Sequence, residues 1–184
     1  MRGKFRFAAA LTAIGFALAF APAPALAHGD IVAVKDNHSA GTIVIRTTER
    51  RLYLILGSGQ AIRYPIGVGR FGMQWSGTVQ IDGKYIKPAW SPPESIKRAE
   101  PKLPDVIPGG SPHNPMGVAA MTLSGGGQYA IHGTNQPGLI GGFVSHGCIR
   151  MLNADITIYM AASASAPRWW CSDQVSGVRD QGSE

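Results

Sequence analysis

The reading of this chain turns on two segments: Tyr129-Ala130-Ile131-His132-Gly133-Thr134-Asn135 and, after a glycine-bearing loop, Val144-Ser145-His146-Gly147-Cys148-Ile149-Arg150-Met151. The first is a short apolar run closed by a histidine, which predicts a strand over 128–132. The second returns with His, Gly and Cys close together. A strand, a loop and a returning segment can therefore bring an imidazole and a thiol together at one edge of a sheet. A thiol is mostly protonated at neutral pH, and a neighbouring imidazole can take its proton to give the nucleophilic thiolate. Glycine at 147, beside the cysteine, and at 141 and 142 lets backbone N–H groups approach an oxyanion closely. On the residues alone, three readings of His132, His146 and Cys148 stay open: nucleophilic catalysis, a metal site, and a structural buried thiol with satisfied histidines. Against the metal, only three candidate ligands converge, with no CxxC pair and no HExxH helix.

Working outward, the pattern is mostly β. Ile31 to Val34 suits a first strand, and Ile43-Val44-Ile45, a polar turn over 47–50 and Leu52 to Leu56 read as a hairpin. Ala61 to Val68 continues as a strand whose Pro65 suits an edge. Trp75 to Ile81 is another, ending at the Asp82-Gly83 turn signal, and Val118 to Leu123 precedes the histidine strand. Eight prolines between residues 88 and 115 mark a long ordered loop or lid, with one short helix between Ser91 and Glu100. Asn153 is a good N-cap for a helix through Ile156 to Met160.

The 184 residues have room for one domain. Residues 1–27 read as an export signal: Arg2, Lys4 and Arg6, an apolar run from Phe7 to Phe20, then a small-x-small site at Ala25-Leu26-Ala27. That run is shorter than the ~20 residues a membrane span needs, so no span is expected after cleavage. Removing the signal takes three of the 17 basic residues and none of the 11 acids, leaving +3 in place of +6. With no Lys/Arg run, nothing points to nucleic acid. Cys148 and Cys171 allow one bridge in an exported protein.

The two opening segments resemble the signature of L,D-transpeptidase catalytic domains, the YkuD-type family. Agreement extends through Tyr64-Pro65-Ile66-Gly67-Val68-Gly69, Lys87-Pro88-Ala89-Trp90-Ser91-Pro92-Pro93, Pro108-Gly109-Gly110 and Asn114-Pro115-Met116-Gly117, covering about residues 30 to 160. The resemblance implies a mostly β, β-sandwich-like catalytic domain over residues 28–160 with one or two short helices and the long Pro-rich loop. It implies a periplasmic or cell-envelope enzyme acting on peptidoglycan stem peptides. Cys148 would attack the stem, release D-alanine and hold the acyl group as a thioester for an amine, on a stem peptide or an envelope protein. His132 would move the proton, oriented by the Gly133 carbonyl. His146, Gly147 and Ser145 would support the oxyanion hole and the setting of Cys148, and Arg150 would brace the loop or meet a substrate carboxylate. No metal or organic cofactor is implied. Water in place of the amine would make a carboxypeptidase or endopeptidase, and an impaired fold a non-catalytic peptidoglycan-binding module. Outside the signature, Arg63 and Lys87 are expected on the solvated surface, Trp75 and Trp90 in packing, and His113 exposed in the loop.

Two departures stand out. Many relatives carry Thr-Pro-x-Gly where this chain has Gln74-Trp75-Ser76-Gly77. Relatives also follow the helix with a Gly-Thr-Pro-Val-Val-Val-type strand, whereas residues 161–184 begin Ala161-Ala162-Ser163-Ala164-Ser165-Ala166-Pro167-Arg168-Trp169-Trp170-Cys171. Read one base earlier, codons for Ser165 to Ser172 can encode Gly-Thr-Pro-Val-Val-Val-Leu, so this tail reads as a frameshifted copy of the closing strand. The expectation is a loose tail, a missing strand and no evolved role for Cys171.

Overall fold

Side-chain alternation decides how the first half of the chain packs. The computed structural model describes residues 29–35, 37–124, 129–162 and 170–172, giving only the backbone of Ala162 and of 170–172. The expected leader at 1–27 and most of the tail lie outside these residues. Strand β1 is Asp30–Ala33, and β2 (Ile43–Arg46), β3 (Arg51–Gly57) and β4 (Gln60–Pro65) form an antiparallel meander beside it. Ile43, Ile45, Leu52, Leu54 and Tyr64 point into the main core, while Val44, Tyr53, Ile55 and Ala61 alternate onto the opposite face and form a smaller cluster with Val32 and Val34. Pro65 pairs with Arg51 beyond the end of β1, where its missing N–H costs no ladder bond.

The second half supplies the other wall. After β5 (Val68–Gly69) comes the long β6 (Thr78–Ile86). Helix α1 (Glu94–Ala99), β7 (Ala119–Leu123), β8 (Ala130–His132), a 3-10 turn (Pro137–Leu139), β9 (Phe143–Ser145), β10 (Ile149–Arg150), α2 (Asn153–Ala162) and β11 (Trp170–Ser172) follow. Among the described residues, nine strands form one sheet in the order β1-β4-β3-β2-β11-β6-β7-β8-β10, and β5 pairs with β9 separately. Ala119, Met121, Leu123, Ile131 and Ile149 from the far end of that sheet join Ile43, Leu52 and Tyr64 in one core. The sheet thus folds over on itself, the β-sandwich-like arrangement expected. Helix α2 closes the core with fully buried Ile156 and Tyr159, the latter edge-on to Tyr64 at 6.5 Å between ring centroids.

Two expectations are corrected here. Asp82-Gly83 does not end a strand. β6 runs through it, pairing with β11 up to Gln80 and with β7 from Ile81 onward, with a bulge between Ile81 and Gly83. Partners on both sides outweigh the local turn preference, and Asp82 accepts a hydrogen bond from the Thr122 hydroxyl across the ladder. Nor is the closing strand missing: Trp170–Ser172 lie between β2 and β6, with Cys171 opposite Ile43 on one side and Val79 on the other. Ladder bonds are made by the backbone, which every residue but proline shares, so altered side chains do not empty the slot.

The Pro-rich loop is ordered by one buried side chain. Asn114 is 1% exposed. Its Nδ2 donates to the carbonyls of Pro88, Ile107 and Pro108, and its Oδ1 accepts from the Met116 N–H. Trp90 and Ile107 exchange backbone hydrogen bonds at 2.9 and 2.8 Å, so Trp90 is held as part of the loop's own scaffold. Gly109 packs so tightly that a Cβ would lie 1.8 Å from the Lys87 carbonyl oxygen. Asn114→Ala strands these buried polar groups and is expected to cost about 3 kcal/mol of unfolding free energy, read from urea denaturation. A loss under about 0.5 kcal/mol would show that Asn114 does not tie the loop.

Candidate active site

Strands β8 and β10 are parallel neighbours with Ile131 beside Ile149 and His132 beside Arg150. Because alternate side chains take opposite faces, Ile131 and Ile149 both enter the core, and His132, Cys148 and Arg150 are left sharing the other face. A hydrogen bond from the Ala130 backbone to the Cys148 thiol closes the pairing one residue earlier. The register thus gives the imidazole and the thiol positions on the same face of the β8–β10 pair.

His132 is 3% exposed. A carbonyl oxygen only accepts, so the 2.6 Å contact of its Nδ1 with Gly133 O means that Nδ1 carries the proton and Nε2 the lone pair. Burial pushes the imidazole pKa down to about 4, against the pull of the Gly133 and Pro115 carbonyls and with a smaller push from Arg150. Burial also pushes the Cys148 thiol up, against the Ala130 hydrogen bond and the Arg150 charge. Both shifts favour the uncharged forms, imidazole and thiol. Cys148 carries a thiol and not a disulfide.

The cysteine loop is braced from within and from outside. Ser145, 1% exposed, donates from Oγ to the Cys148 carbonyl at 2.6 Å and accepts from the Gly147 N–H at 3.1 Å. The Trp75 indole N–H donates to the Gly147 carbonyl at 2.9 Å. Gly147 has φ +118°, and a Cβ there would stand 2.4 Å from the Tyr129 ring. Arg150 exchanges backbone hydrogen bonds with Gly67 at 2.8 Å in both directions, and its half-buried side chain leaves Nε without a hydrogen-bond partner among the described residues. His146 is exposed. Its pKa is lowered first by partial desolvation and then by Arg70 and Arg150, while Glu100 opposes. Its side chain thus belongs to the charged rim of the site. Among the described residues no three His, Cys, Asp or Glu side chains gather as metal ligands. Lys87 and His113 are exposed, and Arg63 forms an exposed ion pair with Asp30 at 3.1 Å, out at the β1 edge of the sheet.

Several supporting residues escaped the sequence reading. Asn153, taken as a helix cap, accepts on Oδ1 from the Val118 and Thr134 N–H groups, fastening the turn after His132 to the start of α2. Arg70 donates from Nε to the Val144 carbonyl beside the cysteine loop. Trp75 and Tyr129 stack at 5.6 Å and 9° below Gly147. Around them a shallow recess, partly open to solvent, is lined by Ile45, Thr47, Gly69, Trp75, Gly147 and Ile149, among others. The one hint available was a glycine next to the cysteine, which announces close packing but not by what.

Comparison with known proteins bears on the same residues. The Probable L,D-transpeptidase YbiS of Escherichia coli (strain K12) is 42% identical over 123 residues, 62% of this chain and 39% of that protein. The chain thus matches about two fifths of the length of this curated relative. A crystal structure named as a probable carnitine operon oxidoreductase, from Brucella melitensis, is 34% identical with a TM-score of 0.52, over 76% of this chain and 90% of that one. The redox name finds no echo in the local structure. Gly67, Gly69 and Gly72 have dinucleotide-motif spacing, but they lie just before, on and just after β5, and the next element is strand β6 rather than a helix. L,D-transpeptidase 3 from Mycobacterium tuberculosis has the same fold, with a TM-score of 0.54 at 14% identity over 73% of this chain and 61% of that one. The L,D-transpeptidase catalytic domain model matches residues 40–162, about two thirds of the chain and the whole span from β2 to α2 that carries His132 and Cys148, and the chain therefore belongs to the YkuD family of L,D-transpeptidase catalytic domains.

Proposed function

We propose that this chain is an exported L,D-transpeptidase that acts on peptidoglycan stem peptides through a Cys148 thioester. The observation that carries the reading is the β8–β10 register, which sets a buried imidazole with its lone pair on Nε2 and a thiol on one face. Both are neutral at rest, so the thiol proton passes to His132 Nε2 as Sγ attacks the acyl carbon. The sulfur–carbon bond forms, the carbonyl electron pair moves to oxygen, and collapse expels the D-alanine amine, which takes the proton back from His132. An amine acceptor then reverses the sequence. The Gly133 carbonyl supports His132 by holding its tautomer and favouring the imidazolium while it carries the proton. Arg150, a half-buried cation beside Cys148, suits a substrate carboxylate through its guanidinium charge. The acceptor is proposed to be an amine of a second stem or an envelope protein.

Incubation with a carbapenem followed by intact-mass measurement is expected to show one adduct, on Cys148, lost in Cys148→Ala. A folded wild-type protein that takes no adduct and turns over no tetrapeptide would remove the enzyme reading, and retention on sacculi would then favour a binding module. Digested tetrapeptide products distinguish transfer from hydrolysis.

The buried histidine sets the pH dependence. Its folded pKa is depressed to about 4, so the base stays in its working, neutral form down to that pH. The acid limb of the acylation rate is expected near pH 4 instead of near 6.5, the usual imidazole value. An acid limb near 6.5 would mean that His132 is hydrated in solution or is not the base.

Export is proposed for residues 1–27. Protein recovered from the envelope of expressing cells is expected to begin at His28 by N-terminal sequencing, and recovery of the uncleaved chain from the cytoplasm alone would oppose it.

A further inference from the structure

We infer that Trp75 is a positioning residue for the acylation step: its indole N–H, bonded to the Gly147 carbonyl, sets the orientation of the Gly147–Cys148 peptide and so aims the Cys148 N–H for an oxyanion. This rests on the reading of Cys148 as nucleophile and goes one step further into the same site.

Three consecutive peptide units lead into and out of the cysteine. The first is held through the Gly147 N–H, which donates to Ser145 Oγ, and the third through the Cys148 carbonyl, which accepts from the same hydroxyl. Ser145 therefore fixes the two outer units from inside the loop. The middle unit is held from 72 residues away: Trp75 Nε1 donates to the Gly147 carbonyl at 2.9 Å.

That middle unit is the one with freedom to turn over. Gly147 at φ +118° lies where only glycine is comfortable, and glycine has no side chain to resist rotation of the adjoining peptide. The peptide is trans, so its C=O and N–H point in opposite directions. Holding the carbonyl toward Trp75 therefore directs the Cys148 N–H to the opposite side of the loop. A flipped unit would put a carbonyl dipole where an N–H is needed and repel the developing oxyanion.

Trp75 is itself held rigidly. Its ring lies flat on Tyr129 at 5.6 Å between centroids and 9° between planes, and the Tyr129 ring also fills the space where any side chain at 147 would go. Tyr129 immediately precedes β8, so the stack ties the loop's orientation to the strand that carries His132. The geometry also accounts for the Gln74-Trp75-Ser76-Gly77 departure: the tryptophan is there to donate, and not only to pack.

Two rates on the full-length protein test this. Carbapenem acylation passes through a tetrahedral oxyanion at the attacked carbonyl, whereas iodoacetamide alkylation displaces iodide from a saturated carbon and needs no oxyanion donor. Trp75→Phe keeps an aromatic ring for the Tyr129 stack and removes the N–H. It is expected to slow acylation about tenfold or more, while alkylation across the pH range stays within about twofold of wild type, since thiol ionisation does not depend on the bond. Benzothienylalanine incorporated at 75 replaces the indole N–H by sulfur at nearly unchanged shape. It should repeat the result, and it decides the matter if the Phe variant does not fold. Equal acylation in both variants overturns the proposal. So does a parallel fall of acylation and alkylation, which would mark Trp75 as general packing for the loop. Wild type that alkylates but is not acylated would bring down the thioester reading itself, and this inference with it.

Discussion

The parallel pairing of β10 with β8 is the constraint on which the site depends. Two backbone-paired positions, Ile149 with Ile131 and Arg150 with His132, decide which side chains enter the core and which face outward together. A slip of one residue would send the cysteine toward the core and the isoleucines to the opposite face. The register is secured from both sides by burial: Ile131 is fully buried and Ile149 nearly so. The Met151 N–H bond to the His132 carbonyl and the Gly67–Arg150 exchange extend the hold beyond the two ladder residues. The hydrophobic core thereby fixes which side chains share the opposite face.

Burial has a second consequence, electrostatic rather than geometric. An imidazole with almost no contact with water is stripped of the solvation its cation would need, so His132 is kept neutral far below its usual range. The same desolvation keeps Cys148 protonated. A site that depended on a standing thiolate–imidazolium pair would need a more polar setting. Here the Gly133 carbonyl favours the imidazolium and the Ala130 backbone and Arg150 favour the thiolate, while Arg150 disfavours the imidazolium, and burial outweighs them all.

Much of this was legible in the linear chain. The period-2 patterns of Ile43 to Ile45 and Leu52 to Leu56 mark strands with two buried faces, and the structure has them. His132, Gly133, Ser145, Gly147, Cys148 and Arg150 stand in one short window because a strand and its returning neighbour are close in sequence. Asp82-Gly83 misled, since a dipeptide with strong turn preference was overruled by ladders on both flanks. The tail misled too. Side-chain identity suggested a lost strand, while backbone hydrogen bonding, indifferent to identity, still fills the gap between β2 and β6 at Trp170–Ser172.

By itself, the sequence determined most of the elements, the family and the candidate pair His132 and Cys148, because those rest on local periodicity and on residues that lie near one another along the chain. What surrounds the pair was decided by tertiary structure. Trp75 reaches Gly147 across 72 residues, Asn153 reaches Val118 across 35, and Asn114 gathers the carbonyl of Pro88 across 26. Hydrogen bonds of this kind leave no periodic trace, since each needs only one donor or acceptor at one point. The pKa values of His132 and Cys148 are of the same origin: they depend on how much water the finished fold excludes, which no short segment specifies.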